Sequence, residues 1–157
     1  NTMPDGVLSV VLQREHHEID SAIASFIETL DGGCVQPQLL RAALEALRRH
    51  IYLEETLLFP PIRAAGVMMP ILVMMREHGE LWRTLDTLEP RPAETGDAAA
   101  TASICERLLA QLELHNSKEE PIFYTRADAS LGPDATAELK AFLDSGQMPT
   151  GWTCRQA

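Results

Sequence analysis

Apolar residues recur along this chain at the alternating steps of three and four that belong to helices buried on one face. From Val7 to Leu30 the stripe is Leu12, Ile19, Ile23, Phe26 and Leu30, and the one polar slot in it is filled by His16. A second stripe, after Pro37, runs Leu40, Ala43, Leu47, His50, Glu54 and Leu57. The third, over roughly Met69 to Leu88, is Ile71, Met74, His78, Leu81, Leu85 and Leu88, and the fourth is Ile104, Leu108, Leu112, His115, Glu119 and Ile122. Each stripe is thus interrupted by one histidine. In the second and fourth a glutamate follows one turn later.

The punctuation between the stripes sets the helix ends. Asp31-Gly32-Gly33 closes the first helix, with glycine available for a left-handed cap. Pro37 and Pro70 suit first turns, and Pro60-Pro61 is expected to stop the second helix ahead of a connector through Gly66. Residues 89–96 read as a linker, with Asp97 as the N-cap of the fourth helix. Pro121 is expected to kink that helix or end its regular hydrogen bonding. Gly132-Pro133-Asp134 opens a shorter fifth helix to about Asp144. The pattern predicts an all-α protein, an up-down four-helix bundle with a short extra C-terminal helix. One domain spans 1–145, and 146–157 forms a loosely packed tail that Trp152 is placed to pin.

The chain also repeats itself. Arg14-Glu15-His16-His17-Glu18-Ile19 matches Arg76-Glu77-His78-Gly79-Glu80-Leu81, and His50-x-x-x-Glu54-Glu55 recurs as His115-x-x-x-Glu119-Glu120. Helix one therefore pairs with three, and two with four. In an up-down bundle, residues at one height are equidistant from the turn between their helices. The midpoint of His16 and His50 falls on Gly33, that of His50 and His78 just before Gly66, and that of His78 and His115 at Gly96-Asp97. The four histidines are predicted to share one layer.

That layer carries the candidate chemistry. Residues at i and i+4 face the same way on a helix, so His50 with Glu54, and His115 with Glu119, converge in pairs. His16, His50, Glu54, His78, His115 and Glu119 would all be buried together, where an unpaired carboxylate costs several kcal/mol or is neutralised. A bundle selected for stability alone would place leucine there. Imidazoles and carboxylates in this mixture suit iron, with manganese or zinc as alternatives, and six ligands related by a two-fold repeat suit two ions bridged by Glu54 and Glu119. Glu15, Glu55, Glu77 and Glu120 lie one residue off the stripes, as flank charges or as partners of the imidazole N–H groups. His17 is read as a surface residue, and Tyr52 points away from the ligand face. Met68, Met69, Met74 and Met75 are read as core filler rather than as a soft-metal site.

Composition narrows the function classes. The chain has 157 residues, 45% hydrophobic, 23% charged and 5% aromatic, an ordinary globular balance leaning towards helix. A net charge of −10 leaves no basic stripe for nucleic acid. No run of 18 or more apolar residues marks a membrane span, estimating the required length at about 20. Three cysteines, Cys34, Cys105 and Cys154, without CxxC spacing fit free thiols in a reducing compartment, so a cytoplasmic location is expected.

The motifs Glu-His-x-x-Ile (15–19), His-x-x-x-Glu-Glu-x-x-Leu-Phe-Pro (50–60), Glu-His-x-x-Leu (77–81) and His-x-x-x-Glu-Glu-Pro-Ile-Phe-Tyr (115–124) resemble the hemerythrin-like, HHE cation-binding family over about residues 7–126. The resemblance implies a non-heme di-iron centre in an up-down bundle. Bridging carboxylates would fall at Glu54 and Glu119, and terminal imidazoles at His16, His50, His78 and His115. Two departures bear on function. Trp82 stands where oxygen carriers of the family have a further histidine, and the carboxylate after His115 lies at +4 rather than +5. The resemblance thus implies a small ligand, oxygen, nitric oxide or peroxide, for sensing, storage or detoxification, with a pocket expected among Met74, Met75, Leu81 and Trp82. Iron handling or iron–sulfur centre repair, and a catalase- or peroxidase-like enzyme, are the alternatives.

Overall fold

A computed structural model describes residues 7–89 and 98–157. The chain order is α1 (Val7–Asp31), α2 (Pro37–Leu53), a π-helical turn (Glu54–Leu58), α3 (Phe59–Ala64), α4 (Met69–Leu88), α5 (Ala98–Glu119), a second π turn (Glu120–Tyr124), α6 (Thr125–Ser130) and α7 (Pro133–Ser145). No strand occurs among the described residues. The four long helices close a ring, α1 against α2 and α5, and α4 against α5 and α2. This is the predicted up-down bundle, and α7 is its extra helix.

The turns sit where the sequence places them. Gly33 (φ 76°) and Gly66 (φ 104°) adopt left-handed backbone after α1 and before α4. The 89–96 linker and Asp97 cap fall almost entirely outside the described residues.

Pro60-Pro61 does not stop the second helix, which corrects that expectation, whereas the regular α hydrogen bonding of the fourth does end at Glu119, just before Pro121. Each helix widens at this point. The Phe59 amide reaches back five residues to the Glu54 carbonyl, and the chain then resumes α geometry with Pro60 and Pro61 in the new first turn, where their missing N–H groups leave no gap. Pro121 lies inside the second π turn, and helix continues through α6.

The core is two apolar clusters with the polar layer between them. One contains Ile19, Ile23, Phe26, Leu47, Leu85 and Leu108; the other contains Leu8, Leu12, Leu58, Phe59, Phe123 and Tyr124. The tail is packed rather than loose, which corrects that expectation, and Trp152 pins it where the sequence places it. Cys154 is 2% exposed within the first cluster, and Met148 and Trp152 pack against it. Trp152 meets Tyr52 edge-on at 5.0 Å and Trp82 at 5.6 Å. Arg49 ties α7 down by donating to the carbonyls of Phe142, Leu143 and Gly146. Of the four methionines, Met74 is buried and Met75 packs against the second cluster, but Met68 and Met69 are exposed.

Candidate metal centre

The polar layer forms as the level argument requires. His16, His50, Glu54, His78, His115 and Glu119 are all buried, none more than 4% exposed. The rings of His16 and His50 lie 4.8 Å apart, and those of His78 and His115 lie 5.0 Å apart.

The two glutamates divide their oxygens between these pairs. Glu54 Oε2 is 3.1 Å from His50 Nε2, while its Oε1 is 3.1 Å from His78 Nε2. Glu119 Oε1 is 3.1 Å from His16 Nε2, while its Oε2 is 3.1 Å from His115 Nε2. Two donor groups result, His16–His50–Glu54–Glu119 and Glu54–His78–His115–Glu119, each with all its ligand atoms within 4.8 Å of one another. Two atoms each bonded at about 2.1 Å to a shared ion at right angles are about 3 Å apart, so this spacing is that of neighbouring metal ligands. Both glutamates belong to both groups.

A second ring of carboxylates aims the imidazoles. Glu15 on α1 takes the Nδ1–H of His50 on α2 at 2.8 Å, and Glu55, in the turn after α2, takes that of His78 on α4 at 2.7 Å. Glu77 on α4 takes that of His115 on α5 at 2.8 Å, and Glu120, after α5, takes that of His16 on α1 at 2.8 Å. The circuit closes around the bundle. Each hydrogen bond fixes the proton on Nδ1 and turns Nε2 inward, the usual support for a metal-bound imidazole. The residues one step off the stripes are therefore partners of the imidazole N–H groups. Glu15 also meets Arg49 at 3.3 Å, Glu77 meets Lys118, and Glu55 accepts the Arg155 amide of the tail at 3.1 Å.

Electrostatics show a site built for positive charge. Burial pulls the His50 imidazole down, but the Glu54 charge and the Glu15 hydrogen bond outweigh it and push it up to about 10. His115 rises against burial to about 9 through the charge of Glu119 and hydrogen bonds to Glu119 and Glu77. Burial raises the Glu54 carboxyl, as does repulsion from Glu119, yet the imidazoles hold both carboxyls below their ordinary value. Protons on His50, His78 and His115 supply the charge that a cation would supply.

Tyr124 is the residue sequence reasoning missed. Its hydroxyl lies 2.7 Å from His16 Nε2, 2.8 Å from His50 Nε2 and 3.1 Å from Glu119 Oε1, and donates to Glu54 Oε2 at 2.6 Å. Burial and the two carboxylates push its phenol well above the usual value. Nine residues past His115, it would face about 180° away on a regular helix. The π turn takes up one extra residue and brings it back by about 100°. Proline directly after Glu119-Glu120 is the sequence signal that could have revealed this. In the other half, Phe59 sits nine residues past His50 and stacks on His78 at 5.7 Å. The first donor group therefore has a fifth polar atom, the Tyr124 hydroxyl oxygen, beside its two nitrogens and two oxygens, and the second has a ring face.

On the other side of the layer the centre opens on a buried cavity of about 10 Å³, walled by the six site residues together with Ile19, Asp20, Leu47, Ile51, Leu81, Leu112 and Asn116. Of the four residues expected to line a pocket, Leu81 alone does so. Met74 and Met75 pack in the other cluster, and Trp82 is taken up by Trp152. His17 is exposed on a surface groove, and Tyr52 packs on Trp152 and Phe142, away from the site.

A ring of inward imidazoles and shared carboxylates in a four-helix bundle defines a cation-binding helical protein. The model of the hemerythrin HHE cation-binding domain matches residues 7–127, and the chain belongs to that family. Searches of curated proteins and of solved structures return no match.

Proposed function

We propose that the centre holds two non-heme iron ions bridged by Glu54 and Glu119, and that it binds a small ligand, oxygen, nitric oxide or peroxide, for sensing, storage or detoxification. One observation carries this: each bridging glutamate sends one oxygen to each donor group. A single ion would not require both carboxylates to be split. His16 and His50 hold one ion, with Tyr124 beside it, and His78 and His115 hold the other. Iron bound there supplies reversible one-electron chemistry and open coordination positions. Manganese or zinc would fit the same donors, and iron is favoured by the imidazole–carboxylate mixture.

The protein's own groups do the rest. Glu15, Glu55, Glu77 and Glu120 orient the imidazoles and keep the proton on Nδ1. The small volume of the cavity, about 10 Å³, admits only something of the size of a diatomic or peroxide and excludes larger molecules. Tyr124 favours a second reading, peroxide turnover, because its O–H lies within the donor group and is able to pass a proton. Metal analysis with visible spectra before and after reduction tests the proposal. About two irons per chain with a ligand-responsive spectrum is the expected result; no metal on a folded protein overturns it. Oxygen release from peroxide, lost in Tyr124→Phe, would establish turnover.

A further inference from the structure

The internal repeat pairs α1 with α4 and α5 with α2, so the seam between α1 and α5 has a counterpart between α4 and α2. At the counterpart, one turn past His78, stands Trp82, and directly after His50 stands Ile51; both are buried. The tail covers that seam. Trp152 packs on Trp82, the Arg155 amide bonds Glu55, and Gln156 crosses so close to Gly79 that an added Cβ would meet its carbonyl at 2.5 Å.

At the α1/α5 seam the same two positions are Asp20 and Asn116. Oδ1 of each is buried with no hydrogen-bond partner, and Asn116 as a whole is only 8% exposed. Leaving such an acceptor unmet disfavours the fold, so neither oxygen is explained by packing alone. Asp20 and Asn116, together with His16, line both the cavity at the centre and an open surface groove of about 520 Å³. The other cavity walls outside the six site residues are aliphatic. A guest in the cavity therefore finds side-chain hydrogen bonds beyond the metal ligands at Asp20 and Asn116 alone among the described walls.

We propose that Asp20 and Asn116 form a polar subsite at the α1/α5 seam that admits and hydrogen-bonds a small oxygen ligand carrying a proton, hydrogen peroxide, in preference to nitric oxide. A carboxylate oxygen accepts from an O–H group, which peroxide has and nitric oxide lacks. The inference rests on the iron reading above and selects among its ligands.

Stopped-flow absorbance on the iron-loaded protein tests it, with hydrogen peroxide on the ferric form and nitric oxide on the ferrous form. Asp20→Leu and Asn116→Leu should each weaken peroxide binding ~10-fold, one hydrogen bond's worth, and leave nitric oxide within ~2-fold. Asp20→Asn, which keeps an acceptor, should restore part of the loss. Asp20→Trp copies the sealed seam and should slow both ligands. An unchanged peroxide-to-nitric-oxide ratio in both leucine variants overturns the subsite, and unchanged rates in Asp20→Trp overturn the route. A wild-type protein that takes up no iron, or answers neither ligand, fails the parent reading instead. A high-resolution crystal structure of the zinc-loaded protein then decides the subsite by itself. A water bound to Asp20 Oδ1 and Asn116 supports it, and a dry seam refutes it.

Discussion

The two halves of the bundle, α1 to α3 and α4 to α6, hold the same inner constellation and differ in what surrounds it. Each contributes two imidazoles, one shared glutamate and two outer carboxylates. Yet one half brings Phe59 to the layer and the other Tyr124, and one lateral seam is closed by Trp82, Ile51 and the tail while the other offers Asp20 and Asn116. The donor groups are duplicated, and the two halves depart from the duplication at the ring beside the layer and at the lateral seams.

The shared part is the most sensitive. Glu54→Ala or Glu119→Ala removes an oxygen from both groups at once, and elemental analysis should show loss of both ions rather than one. Retention of one ion in either variant would mean that the halves are independent sites. Next come the outer carboxylates. Glu77→Gln or Glu55→Gln should lower metal affinity by roughly 10–100-fold, measured by competition with a chelator, because the imidazole keeps its place but loses its aiming charge.

Metal-free protein should show the charge of the layer directly. His50 and His115 are raised from 6.5 to about 10 and 9, so they favour the folded state fully below pH 6.5 and lose that contribution as pH rises to about 10. Glu77 is lowered from 4.5 to about 2, chiefly by the His115 hydrogen bond, so its contribution is present above 4.5 and fades as pH falls towards 2. Urea melts across this range should give a maximum between the two windows. Metal uptake at neutral pH should release protons, which a weakly buffered indicator would count.

Smaller effects separate the seams and the ring pair. Gly79→Ala gains helix propensity of about 1 kcal/mol but drives a Cβ into the Gln156 backbone. The tail should lift, seen as faster proteolysis after Ser145, with metal content unchanged. Tyr124→Phe makes the halves alike. It should leave both ions in place and cost the metal-free protein about 1–3 kcal/mol in denaturant melts, as the groups around the hydroxyl lose a partner. A loss of iron instead would make Tyr124 a required ligand.

Much of this is legible in the sequence alone. Spacing of three and four marked the helices, and the four histidines, level about the turns, marked the layer. Periodicity failed where the helix period itself changed. After Glu54 and Glu119 the π turns shift every later residue by one step, which hid Tyr124 and places Pro60-Pro61 in a first turn instead of a helix interior. The tail's close packing, beyond the Trp152 pin, was not legible for a different reason. Its contacts through Trp152 and Cys154 are made one residue at a time across long separations, and they leave no periodic trace.

By itself the sequence determined the helices, their pairing and the six buried groups, because helical geometry converts spacing into direction without reference to the rest of the chain. Only the tertiary structure decided which glutamate oxygen meets which imidazole, which carboxylate aims each histidine, and that one seam is sealed while its twin carries two unmet acceptors. Those are contacts between helices, set by packing of segments far apart in the chain, and no local pattern encodes them.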